Sequence, residues 1–336
     1  MTYKSRQYCF FFMLFVIIGF YLIYILGEFS SVNGTTIAKE GKVFVMYAGS
    51  LVRIFEDVIG PAFQKESGYK YLGEGKGSVQ VSNLIKDGFR TPDIFVSAGD
   101  VPVVRLMNTT TSPPIVDWLL KFGSAEIVIA YSSTSPYFNE LEKSRNGETP
   151  WYDILSQEDF RFGRTDPELD PKGYYGILTA NLANEYYNDP SIKERILGED
   201  RNPKQIFPEE TLKTVLETGQ LDAIMAYKHE AISRGLPYIT LPNEINLGDP
   251  TYSDFYKTAN YTLKSDQKII HGEPVEFSIT IPKTVKNEDG AISFVNFLLS
   301  VNGSQLLESH GLNPTNITYE GDVDNIPQSI KEATKI

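Results

Sequence analysis

The chain has 336 residues, enough for two lobes or two domains, with 31 basic against 43 acidic residues and a net charge of −12. A surface this acidic argues against a nucleic-acid binder, and any anion the protein holds needs local dipoles rather than help from the global field. A single cysteine, Cys9, excludes an internal disulfide framework, and three scattered histidines, His229, His271 and His310, lack metal-ligand spacing and read as satisfied or exposed side chains.

Taken in order, the chain opens with Lys4 and Arg6, followed by an almost wholly apolar run from Tyr8 to Leu26. That length spans a bilayer and also resembles the apolar region of a secretory signal. Residues 1–27 are therefore expected to be a signal or transmembrane anchor, with the basic residues inside and everything after residue 27 outside. No cysteine follows the run, so a lipid anchor is not supported. Residues 28–41 are polar and read as a linker. Five glycosylation sequons start at Asn33, Asn108, Asn260, Asn302 and Asn316, which agrees with an exported glycoprotein.

From Lys42 strands alternate with helices, the pattern of a parallel α/β sheet. Predicted strands cover Val43 to Tyr47, Tyr69 to Leu72, Asp93 to Ser97, Glu126 to Tyr131, Ala223 to Tyr227, Tyr238 to Leu241 and Glu276 to Ile281. Predicted helices cover Val52 to Ser67, Val79 to Asp87, Val101 to Met107, Gly176 to Tyr187, Glu209 to Thr218, Lys228 to Arg234, Glu288 to Leu299 and Ser304 to His310. Ile192 to Pro208 reads as a polar excursion, Tyr252 to Ile270 as paired strands, and the tail from residue 319 as poorly ordered.

Three strands end in small residues that hand over to helices: Ala48-Gly49-Ser50, Gly75-Lys76-Gly77-Ser78 and Ser97-Ala98-Gly99-Asp100. Such turns place hydroxyls and bare N–H groups at helix N-termini along the carboxyl edge of a sheet, where anions bind. A phosphate-loop reading of GEGKGSV fails on spacing, because Gly77 separates Lys76 from Ser78 and Ser78 stands where a third glycine belongs. Ser78 is also a candidate helix cap. A serine hydrolase pattern is absent, since Ala48-Gly49-Ser50-Leu51-Val52 lacks the final glycine. The acids from Asp166 to Asp170 lack the ligand alternation of a calcium loop and read as a solvated turn.

Together, YAGSL at 47–51, GSVQ and PDIFVSAGD within 77–100, EIVIAYS at 126–132, DPKGY at 170–174, AYK at 226–228 and LPNEINLGD at 241–249 resemble the archaeal branch of the molybdate/tungstate-binding proteins of ABC importers. The resemblance implies an α/β, type II periplasmic-binding-protein-like fold. It has one lobe over 42–124 plus about 271–318, a second over about 125–270, a ligand cleft between them and a flexible tail at 319–336. It implies oxyanion binding without catalysis and without a cofactor. Ser50 and Ser78 would bind from the first lobe. From the second would come the backbone near Lys172, the helix start at Glu209 and Glu210, and the hydroxyl of Tyr227. Asp170 would be a possible direct oxygen ligand to bound molybdenum or tungsten. A second carboxylate expected just before the tyrosine is replaced by Ala226, which favours plain tetrahedral recognition, with Glu230 or Asp166 as possible compensators. The implied partners are ABC permease and ATPase subunits, the oxyanion, and a membrane through the N-terminal segment, with the protein a monomer at the cell surface. Sulfate, thiosulfate and phosphate are alternative ligands. An extracellular hydrolase using the carboxylates around Asp166 to Asp170 is a second class of function. A sugar or peptide site is a third, disfavoured because the two tryptophans, Trp118 and Trp151, fall outside the turn edge.

Overall fold

The structure is a computed structural model that describes residues 41–108 and 113–336. The expected anchor at 1–27, most of the linker and the sequon at Asn33 lie outside the described residues. Among the described residues no single helix is long and apolar enough to cross a membrane.

Two sheets organise the chain. The first is six-stranded, in the order β12-β4-β11-β3-β1-β2. Its strands are β1 (Lys42–Ala48), β2 (Lys70–Lys76), β3 (Ile94–Ala98), β4 (Trp118–Ala125), β11 (Val275–Thr280) and β12 (Asn313–Gly321). β1 runs parallel to β2 and β3, whereas β11 is antiparallel to β3 and β4. The second sheet has the order β6-β7-β5-β8, formed by β5 (Ile127–Tyr131), β6 (Phe162–Gly163), β7 (Ala223–Tyr227) and β8 (Tyr238–Thr240). β9 (Asn260–Thr262) and β10 (Ile269–His271) form a separate antiparallel pair. The chain crosses from the first sheet to the second at Glu126 and returns near Gly272, so two short connections join the lobes.

Central strands are buried on both faces and therefore read as continuous apolar runs, as in Ile127–Tyr131 and Ala223–Tyr227. The helices that position the cleft follow sheet strands directly. The first, α1, runs over residues 49–67 and changes from a 3-10 turn (Gly49–Leu51) through a π-helical turn (Phe55–Ile59) into α-helix. It is followed by α2 (Ser78–Lys86) after β2 and α3 (Val101–Met107) after β3. In the second lobe α4 (Pro171–Tyr186), α5 (Glu209–Glu217) and α6 (Lys228–Arg234) surround the mouth of β7.

Several expectations need correction. The tail from residue 319 is not loose: β12 pairs along β4, and the final helix, α7 (Gln328–Thr334), packs Ile330 into the core with Ile326 before it. β4 itself went unrecognised because Trp118–Ala125 carries Lys121, Gly123 and Ser124 among its apolar residues. The excursion at 192–208 begins with a helix, Ile192–Leu197, that buries Ile192, Ile196 and Leu197. The segment 252–270 holds one short helix, Ser253–Tyr256, before its strand pair.

Candidate functional site

The small-residue turns come together with lobe 2 across a narrow cleft. A methyl group on Gly77 would lie 2.5 Å from the Leu169 carbonyl oxygen, and one on Gly49 would lie 2.3 Å from Glu209 Cγ. Gln80 N donates to Leu169 O at 3.1 Å, and Lys76 Nζ pairs with Glu210 at 3.3 Å. Glycines are needed at both positions for steric reasons: Gly77 has φ −53°, which any residue can adopt, but a side chain there meets the opposite lobe's backbone.

Ser50 lies in the first turn of α1, buried, and its Oγ has no protein hydrogen-bond partner. Ser78 opens α2 and is fully buried. It does not cap its helix: Gly77 holds the cap position, and Ser78 Oγ accepts from Ala98 N at 3.1 Å. A hydroxyl that accepts in this way keeps its own proton to donate. From the other side comes Tyr227, at the end of β7, buried and with an unpartnered hydroxyl. Burial and the nearby carboxylate of Asp170 hold its phenol well above the ordinary range, so it is a neutral donor.

Asp170 and Lys172 depart from the expected roles. Asp170 is the N-cap of α4, and its Oδ1 accepts from Lys172 N at 2.7 Å. The N–H expected to face a ligand is therefore satisfied within the helix cap. The Lys172 side chain is buried among carboxylates. Its Nζ lies 2.8 Å from Glu209 Oε2 and donates to both oxygens of Glu230, at 3.1 and 2.8 Å. Lys213 Nζ bridges the same pair, at 2.5 Å to Glu209 Oε1 and 2.8 Å to Glu230 Oε1. Glu230 Oε2 also accepts from Tyr227 N at 2.9 Å.

The two carboxylates of this quartet are unequal. Glu230 collects three lysine hydrogen bonds and a backbone N–H, and the two lysines hold it well below the usual carboxylate range despite its burial. Glu209 has one lysine hydrogen bond, and burial pushes it up to about 7. Burial also raises Asp170, against the pull of Lys172.

His229 was expected to be satisfied or exposed and is neither. It is fully buried, with its ring 5.5 Å from Tyr227 and 5.4 Å from Phe277, and neither nitrogen makes a hydrogen bond of normal geometry. Burial lowers it to about 4, with Glu230 and a weaker contact to the Ser50 backbone opposing that shift. The acids at 166–170 are likewise not a solvated turn. Glu168 accepts from Tyr261 OH at 2.9 Å, Lys264 N at 2.9 Å and Ser265 N at 3.1 Å, tying α4's approach to the β9–β10 pair. Asp166 pairs with Arg201 and accepts from Glu168 N. Among the described residues no group of three or more His, Cys, Asp or Glu side chains is placed to hold a metal ion.

Sequence reasoning offered Glu230 only as a substitute carboxylate for the ligand and missed the side chains of Glu209 and Lys213. One signal was present, the i,i+4 spacing of Glu209 and Lys213, but such a pair is ordinarily a solvated helix face. Only the tertiary fold shows that it is buried.

This arrangement, two α/β lobes closing donor-bearing helix starts on each other, matches a known family. Residues 43–313 fit the family described as bacterial extracellular solute-binding protein. The chain belongs to that family. The molybdate/tungstate-binding protein WtpA of Pyrococcus abyssi is 34% identical to this solute-binding protein over 338 residues, covering 93% of this chain and 95% of the relative. Its namesake in Thermococcus kodakarensis is 32% identical over 335 residues, covering 91% of each. The resemblance drawn from YAGSL, PDIFVSAGD and DPKGY is thus borne out over nearly the whole chain. Among solved structures, the periplasmic molybdate-binding protein of Azotobacter vinelandii superposes with a TM-score of 0.57 at 14% identity, covering 80% of this chain and 98% of that one. The sulfate-binding protein SubI of Mycobacterium tuberculosis gives 0.52 at 15% identity, covering 83% and 88%. Both share the periplasmic-binding-protein-like fold with this solute-binding protein.

Proposed function

We propose that this protein binds a tetrahedral oxyanion, molybdate or tungstate, between its lobes and delivers it to an ABC permease with its ATPase. The observation that carries the reading is the pair of buried, unpartnered hydroxyls, Ser50 Oγ and Tyr227 OH, one from each lobe. Unpartnered buried donors are costly, and an anion's oxygens satisfy them. Ser78 supplies a third hydroxyl, and the first turns of α1 and α2 add backbone dipoles. Neutral donors suit a dianion in a protein of net charge −12. The relatives named for molybdate and tungstate support this ligand class.

Asp170 Oδ1 is engaged with its own helix, and position 226 is alanine, so tetrahedral recognition by donors is favoured over direct carboxylate ligation of the metal. The protein works as a non-catalytic binding subunit outside the membrane, held there by residues 1–27 or released after cleavage. A thermal-shift panel of molybdate, tungstate, sulfate, thiosulfate and phosphate tests the reading. A ligand at a hundred times its Kd raises stability by about 2.7 kcal/mol. Molybdate or tungstate is expected to raise Tm most; a panel with no shift overturns the reading, and a sulfate-only shift moves it to that ligand.

A further inference from the structure

Glu209 is the residue that the donor-only picture leaves unexplained. It opens α5, its side chain is 1% exposed, and its Cγ lies against Gly49, next to Ser50 in the opposite lobe. A carboxylate thus stands beside the helix start expected to hold an anion. Among the described residues, titratable and polar groups face it from both lobes. Its own helix contributes Lys213, and α4 contributes Lys172 with Asp170 at its cap. Glu230, with His229 before it, comes from α6, and the end of β7 brings Tyr227. From lobe 1 come the uncharged Gly49–Ser50 turn and, toward the neighbouring Glu210, Lys76.

With every carboxylate ionised, Lys172 and Lys213 face Glu209, Glu230 and Asp170, leaving one excess negative charge in a buried space. Adding a dianion leaves three. Uncompensated buried charge is among the most costly arrangements in a protein, and the ordinary relief is protonation. Glu230 is fixed in the ionised form by four hydrogen bonds, and Asp170 is held as a helix cap by Lys172 N. Glu209 Oε2 lies 2.8 Å from Lys172 Nζ but receives no hydrogen bond of normal geometry.

Building on the oxyanion reading, we propose that Glu209 is itself a ligand-binding residue: as the lobes close on the dianion, Oε2 takes a proton from solvent, and the neutral carboxyl donates to an oxygen of the bound anion. Binding is therefore coupled to uptake of one proton. Its elevated titration range agrees with this, because the neighbourhood already resists ionisation near neutral pH, and the dianion resists it further. His229, lowered to about 4, stays neutral across that range and does not compete for the proton.

The test is calorimetry of sodium tungstate binding to the full chain at pH 8, in two non-oxyanion buffers of different ionisation enthalpy. Wild type is expected to take up about one proton, and its affinity to fall roughly tenfold per pH unit above neutrality, the slope of a one-proton linkage. Glu209→Gln is expected to bind with no proton uptake and with a flat pH profile. Glu273→Gln, which removes a carboxyl burial also raises to about 7 outside this cluster, is expected to behave as wild type. A wild-type infrared difference spectrum gaining a protonated carboxyl band on binding checks the same point without relying on a variant. Tungstate binding without proton uptake, without the carboxyl band, or with the slope intact in Glu209→Gln overturns the proposal and leaves the oxyanion reading standing. Failure of every oxyanion to bind overturns both.

Discussion

Ser50 and Tyr227 carry buried hydroxyls to which the protein gives nothing to bond. Removing either hydroxyl therefore costs the fold little. Ser50→Ala and Tyr227→Phe are expected to keep the wild-type Tm without ligand, and each to lose about 1.5–3 kcal/mol of oxyanion affinity, the worth of a hydrogen bond to a charged group. Titration of both variants with tungstate checks this, and unchanged affinity in both would remove these residues from the site. His229 makes a separate prediction about stability. Its folded value of about 4 lies below the unfolded value of about 6.5, so the unfolded chain binds the extra proton between those limits. The native state's advantage is whole above pH 6.5 and lost as pH falls toward 4, by up to about 3 kcal/mol. His229→Phe has no such titration. The Tm gap between wild type and this variant is expected to close or reverse in favour of the variant as pH drops from 7 to 4.

At the scale of elements, the segments with a single strong period were legible. Val43 to Tyr47, Val101 to Met107 and Ala223 to Tyr227 form the elements their apolar spacing indicates. Where the pattern was mixed, pairing decided. β12 is largely exposed and polar, with Asn313, Thr315, Asn316 and Thr318 along it, and its backbone is ordered by the ladder with β4. α7 is similarly short and polar apart from one anchor, Ile330, which is fully buried. Truncating that anchor, Ile330→Ala, is expected to destabilise by about 2–5 kcal/mol, the usual cost of emptying a buried aliphatic position. Thermal unfolding measures this; a loss below about 1 kcal/mol would mean the C-terminal helix is not part of the core.

At the scale of the whole molecule, the cleft depends on how closely two lobes approach. Gly77 has ordinary φ, so alanine there leaves lobe 1 intact, yet its methyl would collide with the Leu169 carbonyl oxygen. Gly77→Ala is expected to fold with near-normal Tm, to bind oxyanion at least tenfold more weakly, the effect of about 1.4 kcal/mol of lost closure energy, and to show a smaller ligand-induced contraction in small-angle scattering. Normal affinity in this variant would mean that closure at Gly77 does not contribute to binding.

The anion-friendly turns, the strongly periodic strands and helices, and the family resemblance were legible in the chain because each depends on residues close together. Small residues between an apolar run and a helical period favour a strand-to-helix turn through local backbone geometry. What those turns face was set by the fold. Burial converts Glu209 and Lys213 from a surface pair into half of a sequestered quartet, turns Asp170 inward as a cap, and isolates His229 from water. Desolvation and long-range Coulomb contacts arise from residues far apart in the chain, and no local pattern carries that information.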